Sequence, residues 1–256
     1  MEARDLRAKA RELLQGKWGR VYLIAVICAL PTLVFQIAAA VYLYLSGITY
    51  NINNYQTVIN YYTSYQYVVY NLIGIFGMMM SGFFAIALTA AYLKITNNEK
   101  PEMSEFPQLV KRGGESGIYM LVMGFKIFFW TLLFIIPGII KAIAYAMGIY
   151  IKTENKKISI SEALKQSQDM MRGNKGRFVY LCLTFLGWFI VAGLAAGVIS
   201  GIIGIFASGA SLFITPVLSA AASTVVSIYL GVTTALFYKD LKGRPMAGTN
   251  TQMNNE

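Results

Sequence analysis

Two long stretches of this chain contain no Lys, Arg, Asp or Glu: Val21 to Leu93 and Phe178 to Tyr238. Nothing else in the sequence constrains the fold as strongly. One membrane-spanning helix needs about 20 apolar residues, so each stretch is long enough for two. Only 13% of the 256 residues are charged and 56% are hydrophobic, against about 25% charged in an ordinary soluble domain. So few charges could not cover the surface of a soluble fold. The expected class is all-α, a polytopic helix bundle inserted in a bilayer.

Six spans are expected, at about 21–45, 68–93, 118–136, 137–151, 178–206 and 212–238. The third and fourth depend on Pro137-Gly138 near the centre of one apolar region. Pro-Gly marks a turn or a helix break, and reading it as a turn makes a hairpin of two short helices with Pro137 at the first helical position. A re-entrant element lining a cavity is the alternative. The connector 94–117 holds Pro101 and Pro107 and is not one continuous helix. Spans five and six meet at a small-residue turn, Ala207–Ser211. The tail 241–256 is polar and expected to be disordered. The first apolar run is too long for a signal peptide, which favours an uncleaved first span.

Orientation follows from the basic residues. Six Lys and Arg lie in 1–20, four in 94–117, seven in 152–177 and three after 238. With six spans all of these fall on one side, and cytoplasmic loops are the ones enriched in Lys and Arg. Both termini are therefore expected in the cytoplasm, with the chain in the cell membrane. The same rule accounts for the net charge of +10 without nucleic acid as a partner. The bilayer itself, rich in anionic lipid, is the expected partner.

A repeat at an offset of 157 residues runs through the sequence. Leu13-Leu14 aligns with Met170-Met171, Gly16 with Gly173, Gly19 with Gly176 and Arg20 with Arg177. Before each G-x-x-G-R lies an apolar stripe: Ala3, Leu6, Ala10, Leu13 and Leu14 in one copy, Ile160, Ala163, Ser167, Met170 and Met171 in the other. The spacing puts each stripe on one helix face, and Ser159 with Glu162 has the form of a capping box. Two amphipathic helices are expected to lie in the membrane interface, each turning at glycine into a span. Trp18, Arg20 and Arg177 are the expected anchors at headgroup level, where each basic residue contributes about 1 kcal/mol near an anionic leaflet. Both copies enter from one side, so the repeat is parallel.

The segments LLFIIPGIIKA at 132–142 (with Tyr145, Met147 and Tyr150 after it), SEALKQSQDMMRGNKGRF at 161–178, FYKDL at 237–241 and QGKWGR at 15–20 resemble the bacterial membrane family labelled domain of unknown function 975. The resemblance covers most of the chain. It implies a polytopic membrane architecture and brings no activity or residue role with it.

A few positions are candidates for function. Lys126 and Lys141 are the ionisable side chains inside expected spans, where a charge costs about 2.5 kcal/mol or more. They could meet an anionic substrate, a headgroup or a partner's carboxylate, or snorkel from short helices, Lys141 toward the outer surface. With Pro137, Gly138 and Tyr145 they make the central hairpin the first place to look for a transport or lipid-handling site. Gly193, Gly197 and Gly201 repeat every four residues, a spacing that lets helices approach closely, within the chain or in a homodimer. The outer segment Ser46–Tyr70 holds seven tyrosines and four asparagines, suited to the membrane interface or to stacking on a ligand.

Catalysis has little to stand on. There is no histidine, no carboxylate inside an expected span and no phosphate-binding glycine loop, so no catalytic residue, metal ligand or cofactor is assigned. Cys28 and Cys182 read as inert buried thiols. The expected function is non-catalytic, organising or modulating membrane partners, with a small permease or lipid-handling protein as the alternative.

Overall fold

A computed structural model of the chain describes residues 2–46, 65–206 and 208–244; among them the secondary structure is helical, with no β-strand. Six helical segments are long and apolar enough to cross a membrane. Span 1 is α2 (Trp18–Leu45). Span 2 is α3 (Tyr65–Ser81), a 3₁₀ turn at Gly82–Phe84, and α4 (Ala85–Thr96). Span 3 is α6 (Gly113–Leu133). Span 4 joins α7 (Ile135–Tyr145) to α8 (Gly148–Glu154). Spans 5 and 6 are α10 (Lys175–Phe206) and α11 (Ser208–Lys242). Three shorter helices lie between or before them: α1 (Ala3–Leu14), α5 (Phe106–Val110) and α9 (Ile160–Met170). Most of the outer segment, residues 47–64, lies outside the described residues, as does the tail beyond 244.

Spans 1, 2, 5 and 6 form one group, and the span 3–4 hairpin packs beside it through α4, α8 and α9. Span 1 lies along span 2, where Gly77 lets Phe35 approach; a methyl group there would sit 2.5 Å from the Phe35 Cβ. The main core gathers at the charged end of the bundle, where Leu6, Leu14, Ile95, Met147, Ala163, Leu181, Val232 and Phe237 pack together.

Spans 2 and 4 are interrupted, and a serine bridges each interruption. At the 3₁₀ turn, Ser116 of span 3 accepts a hydrogen bond from the Ile86 N–H at 3.1 Å and donates to the Gly82 carbonyl at 2.6 Å. Residue 86 would bond to residue 82 in an unbroken helix. The hydroxyl is thus inserted into the helix ladder, a recognised cause of bending. In span 4, Ser167 of α9 accepts from the Met147 N–H at 3.1 Å and donates to the Ala144 carbonyl at 2.7 Å. Both serines are fully buried, so each hydroxyl serves backbone groups that no water could satisfy.

The repeat is realised in three dimensions. Gly16 and Gly173 both take left-handed backbone, with φ +70° and +74°. The helix starts match too. The Glu2 N–H donates to the Asp5 carboxylate at 3.1 Å, and Ser159 Oγ accepts from the Glu162 N–H at 3.1 Å; Glu2 and Asp5 stand 157 residues before Ser159 and Glu162. Each stripe lies on one helix face, as expected, and that face packs on protein. Leu6, Ala10 and Leu14 are buried, as are Ala163, Ser167 and Met171, because α1 packs on span 6 and α9 on span 4. The Tyr229 hydroxyl fixes α1 by donating to the Arg7 carbonyl at 2.9 Å.

The central turn also differs from the expectation. Phe134 is the extended residue that separates the two helices, three positions before Pro137. Pro137 lies in the first turn of α7, where a helix needs no N–H from it. Gly138 is required for packing, since a side chain there would collide with Thr131 across the hairpin. Ser208–Ser211, expected as a turn, already belong to the helix of span 6.

Candidate functional site

The hairpin candidates line neither of the two pockets described below. Lys141 Nζ donates to Gln168 Oε1 of α9 at 2.9 Å and lies 4.9 Å from the centre of the Trp130 ring. It therefore reaches toward the charged end, not the tip of the hairpin, because the turn at Phe134 places it two helical turns from that tip. Tyr145 is buried against Tyr119 and Leu164. Lys126 is half-buried and has no hydrogen-bond or ion-pair partner among the described residues. Pro137 and Gly138 shape the hairpin as described above. Trp18 packs on the main core, and Arg20 is exposed.

Among the described residues no atom of another element lies within 4 Å of where a Cβ of Gly193, Gly197 or Gly201 would stand, so the stripe makes no close helix contact there. Ala196 and Ser200 are the buried small residues of that helix. The three glycines are exposed beside that buried pair, with Gly193 at the edge of a cleft between spans.

The charged connectors fold onto the bundle. Lys152 is only 5% exposed, pairs with Glu115 at 2.6 Å and donates to the carbonyls of Lys156 and Ile158 at 3.2 and 2.6 Å. Arg112 pairs with the same Glu115 at 2.8 Å and donates to the carbonyls of Lys152 and Thr153. All these donors are occupied, so the cluster holds span 3 to span 4 structurally. Removing Glu115 would leave the buried Lys152 charge without its carboxylate.

A cleft lies elsewhere, between spans 1, 2, 5 and 6. Its volume is about 540 Å³, within the range of roughly 300–1,000 Å³ common for small-molecule sites. Small residues make the space: Ala25 and Ala29 on span 1, Ala85 on span 2, Ala192 and Gly193 on span 5, Ala220 on span 6. Its polar wall is uncharged. Thr32 and Gln36 stand on span 1, Ser81 on span 2, and Ser219, Ser223, Thr224 and Ser227 on span 6. Tyr92 also borders it, closely packed against Gly231.

The chemistry of that wall follows from its hydrogen bonds. Ser223 Oγ donates to the Ser219 carbonyl at 2.7 Å, Thr224 Oγ1 to the Ala220 carbonyl at 2.6 Å and Thr32 Oγ1 to the Gly77 carbonyl at 3.3 Å. Thr32 also pairs with Ser81. With their protons committed to backbone, these hydroxyls offer lone pairs to the cleft. The wall therefore suits an occupant that donates hydrogen bonds and carries an apolar body. The sequence signal was present in Ser219, Ser223 and Ser227, one face of a helix at four-residue spacing. It was missed because a serine in a span announces itself far less than a lysine.

Among the described residues no group of three His, Cys, Asp or Glu is placed to hold a metal ion. A family model described as "Protein of unknown function (DUF975)" matches residues 1–147 and 132–245. Nothing among curated proteins or solved structures matches the chain.

Proposed function

The chain belongs to the DUF975 family of proteins of unknown function, and from that starting point we propose that it is a non-catalytic, lipid-handling protein of the cell membrane. The cleft between spans 1, 2, 5 and 6 carries this reading. Its occupant is a neutral amphiphile, with a hydroxyl-bearing head against Ser223, Thr224 and Thr32 and an acyl or isoprenoid chain along the alanines. Among the described residues no charged side chain lines the cleft, so a charged head would be buried there without a counter-charge. The loops holding 20 of the 22 Lys and Arg face the cytoplasm, together with both termini.

The test is purification from native membranes in a mild detergent, followed by native mass spectrometry. The wild-type protein should retain a neutral lipid that is lost from Ala220→Phe, a substitution that fills the cleft. The same lipids on both proteins, or none on the wild type, would overturn the assignment.

A second reading, the organisation of membrane partners, rests on the span 3–4 hairpin. Phe125, Phe128, Leu132, Phe134, Ile136 and Ile139 are all more than half exposed around its tip. That surface is available to another membrane protein as well as to lipid tails. Crosslinking from residue 128 in native membranes decides: a discrete protein adduct supports it, and lipid adducts alone remove it.

A further inference from the structure

We infer that the charged end of the bundle carries a binding site for a phosphate group, built by α1 and the start of span 5. Arg4 and Arg7 of α1 and Arg177 and Tyr180 of span 5 line a pocket of about 500 Å³, closed by Leu181 and Phe237. The pocket stands on residues separate from the cleft. Arg7 supplies the pointer to a ligand. Its Nε is buried without a hydrogen-bond partner among the described residues, and leaving a buried charged donor unsatisfied is costly. Neither Arg4 nor Arg7 pairs with a carboxylate among the described residues. Glu2 is the acidic side chain lining the pocket, and its own N–H is engaged with Asp5.

The backbone that carries Arg7 and the side chain of Arg177 are held in place before any ligand arrives. Arg7 is fixed through the Tyr229 hydroxyl on its carbonyl and through the burial of Leu6 and Ala10 on either side. Arg177 donates to Asn174 at 2.9 Å and to Asp240 at 3.2 Å and lies 5.5 Å from the Phe237 ring. Planar guanidinium groups bind phosphate through paired, charge-assisted hydrogen bonds. The repeat explains why the site occurs once. Arg20, the counterpart of Arg177, is exposed, and the positions 157 residues after Arg4 and Arg7 are Ser161 and Leu164. The phosphate chemistry is that of an anionic lipid headgroup or of a free phosphate.

Binding is read with the full-length protein in detergent, as the rise in melting temperature on titration with phosphatidylglycerol, phosphatidylcholine or inorganic phosphate. Phosphatidylglycerol should stabilise the wild type, and Arg7→Gln should weaken the response about tenfold. Arg11→Gln removes the same charge from the exposed face of α1, outside the pocket, and should leave the response unchanged. If Arg7→Gln does not fold, Arg4→Gln, whose side chain is exposed, takes its place. A response to phosphatidylglycerol alone assigns the pocket to a lipid headgroup; an equal response to inorganic phosphate assigns it to a soluble phosphate. An equal response to phosphatidylcholine, or equal losses in Arg11→Gln and Arg7→Gln, overturns the site.

Discussion

Ser116 and Ser167 show how much can depend on a single hydroxyl where no water is available. Each satisfies one N–H and one carbonyl at a helix break, and alanine would leave both groups without that partner. Ser116→Ala and Ser167→Ala should each lower stability by about 1–3 kcal/mol, read as unfolding in detergent. Ser223→Ala, whose hydroxyl returns to its own helix, should cost less than either. Equal losses for all three would show that bridging the break adds nothing to the loss of a hydroxyl. Lysine behaves in a comparably local way. Lys152 is tied into a closed network with Glu115 and Arg112, whereas Lys141 finds an amide and an aromatic face. Sequence alone ranks the second as the more suggestive charge, because its neighbours in the chain are apolar. The structure shows that the first is the more deeply buried.

At the scale of elements, the duplicated unit is a capped helix, a left-handed glycine and a span. The two glycines of each G-x-x-G-R differ in what they do. Gly16 and Gly173 need positive φ, while Gly19 and Gly176 do not, and none of the four has an atom of another element near its missing side chain. Gly173→Ala should therefore cost about 1–2 kcal/mol through backbone conformation alone, with Gly173→Asn milder and Gly176→Ala tolerated. Thermal unfolding of the three variants checks the order. This unit was legible in the sequence because its signals are local: periodicity, a cap and glycine spacing. The bend in span 2 was not, since it depends on a serine 30 residues away. The hairpin turn was misplaced for a related reason. Proline marks a boundary only to within a turn, and Pro137 is compatible with the start of a helix as well as with the turn itself.

For the whole molecule, four spans were readable from the charge-free stretches and two from the Pro-Gly break in the central apolar region, whereas the cleft was not. It is made of alanines, serines and threonines from four spans, each unremarkable in its own helix, and becomes a feature only when the spans are packed. Sidedness is the prediction that belongs here. Single cysteines at Gln15, Glu102 and Lys157, in a Cys28→Ser, Cys182→Ser background, should react with a membrane-impermeant maleimide only after the membrane is opened. A cysteine at Asn53 should react in intact cells. Any reversal among the first three would break the six-span reading.

The bridge between Ser116 and span 2 also carries information about the order of assembly. A span entering the bilayer alone must satisfy its own backbone. Before span 3 arrives, the Ile86 N–H can do so only by closing on the Gly82 carbonyl, which makes span 2 continuous. The bend at Gly82–Phe84 is then acquired when span 3 docks, by exchanging one internal bond for two to the serine. The Ile86 amide thereby becomes a clock for that docking event: its hydrogen-exchange protection should change in a chain truncated before Gly113, while amides near Gly77 keep theirs.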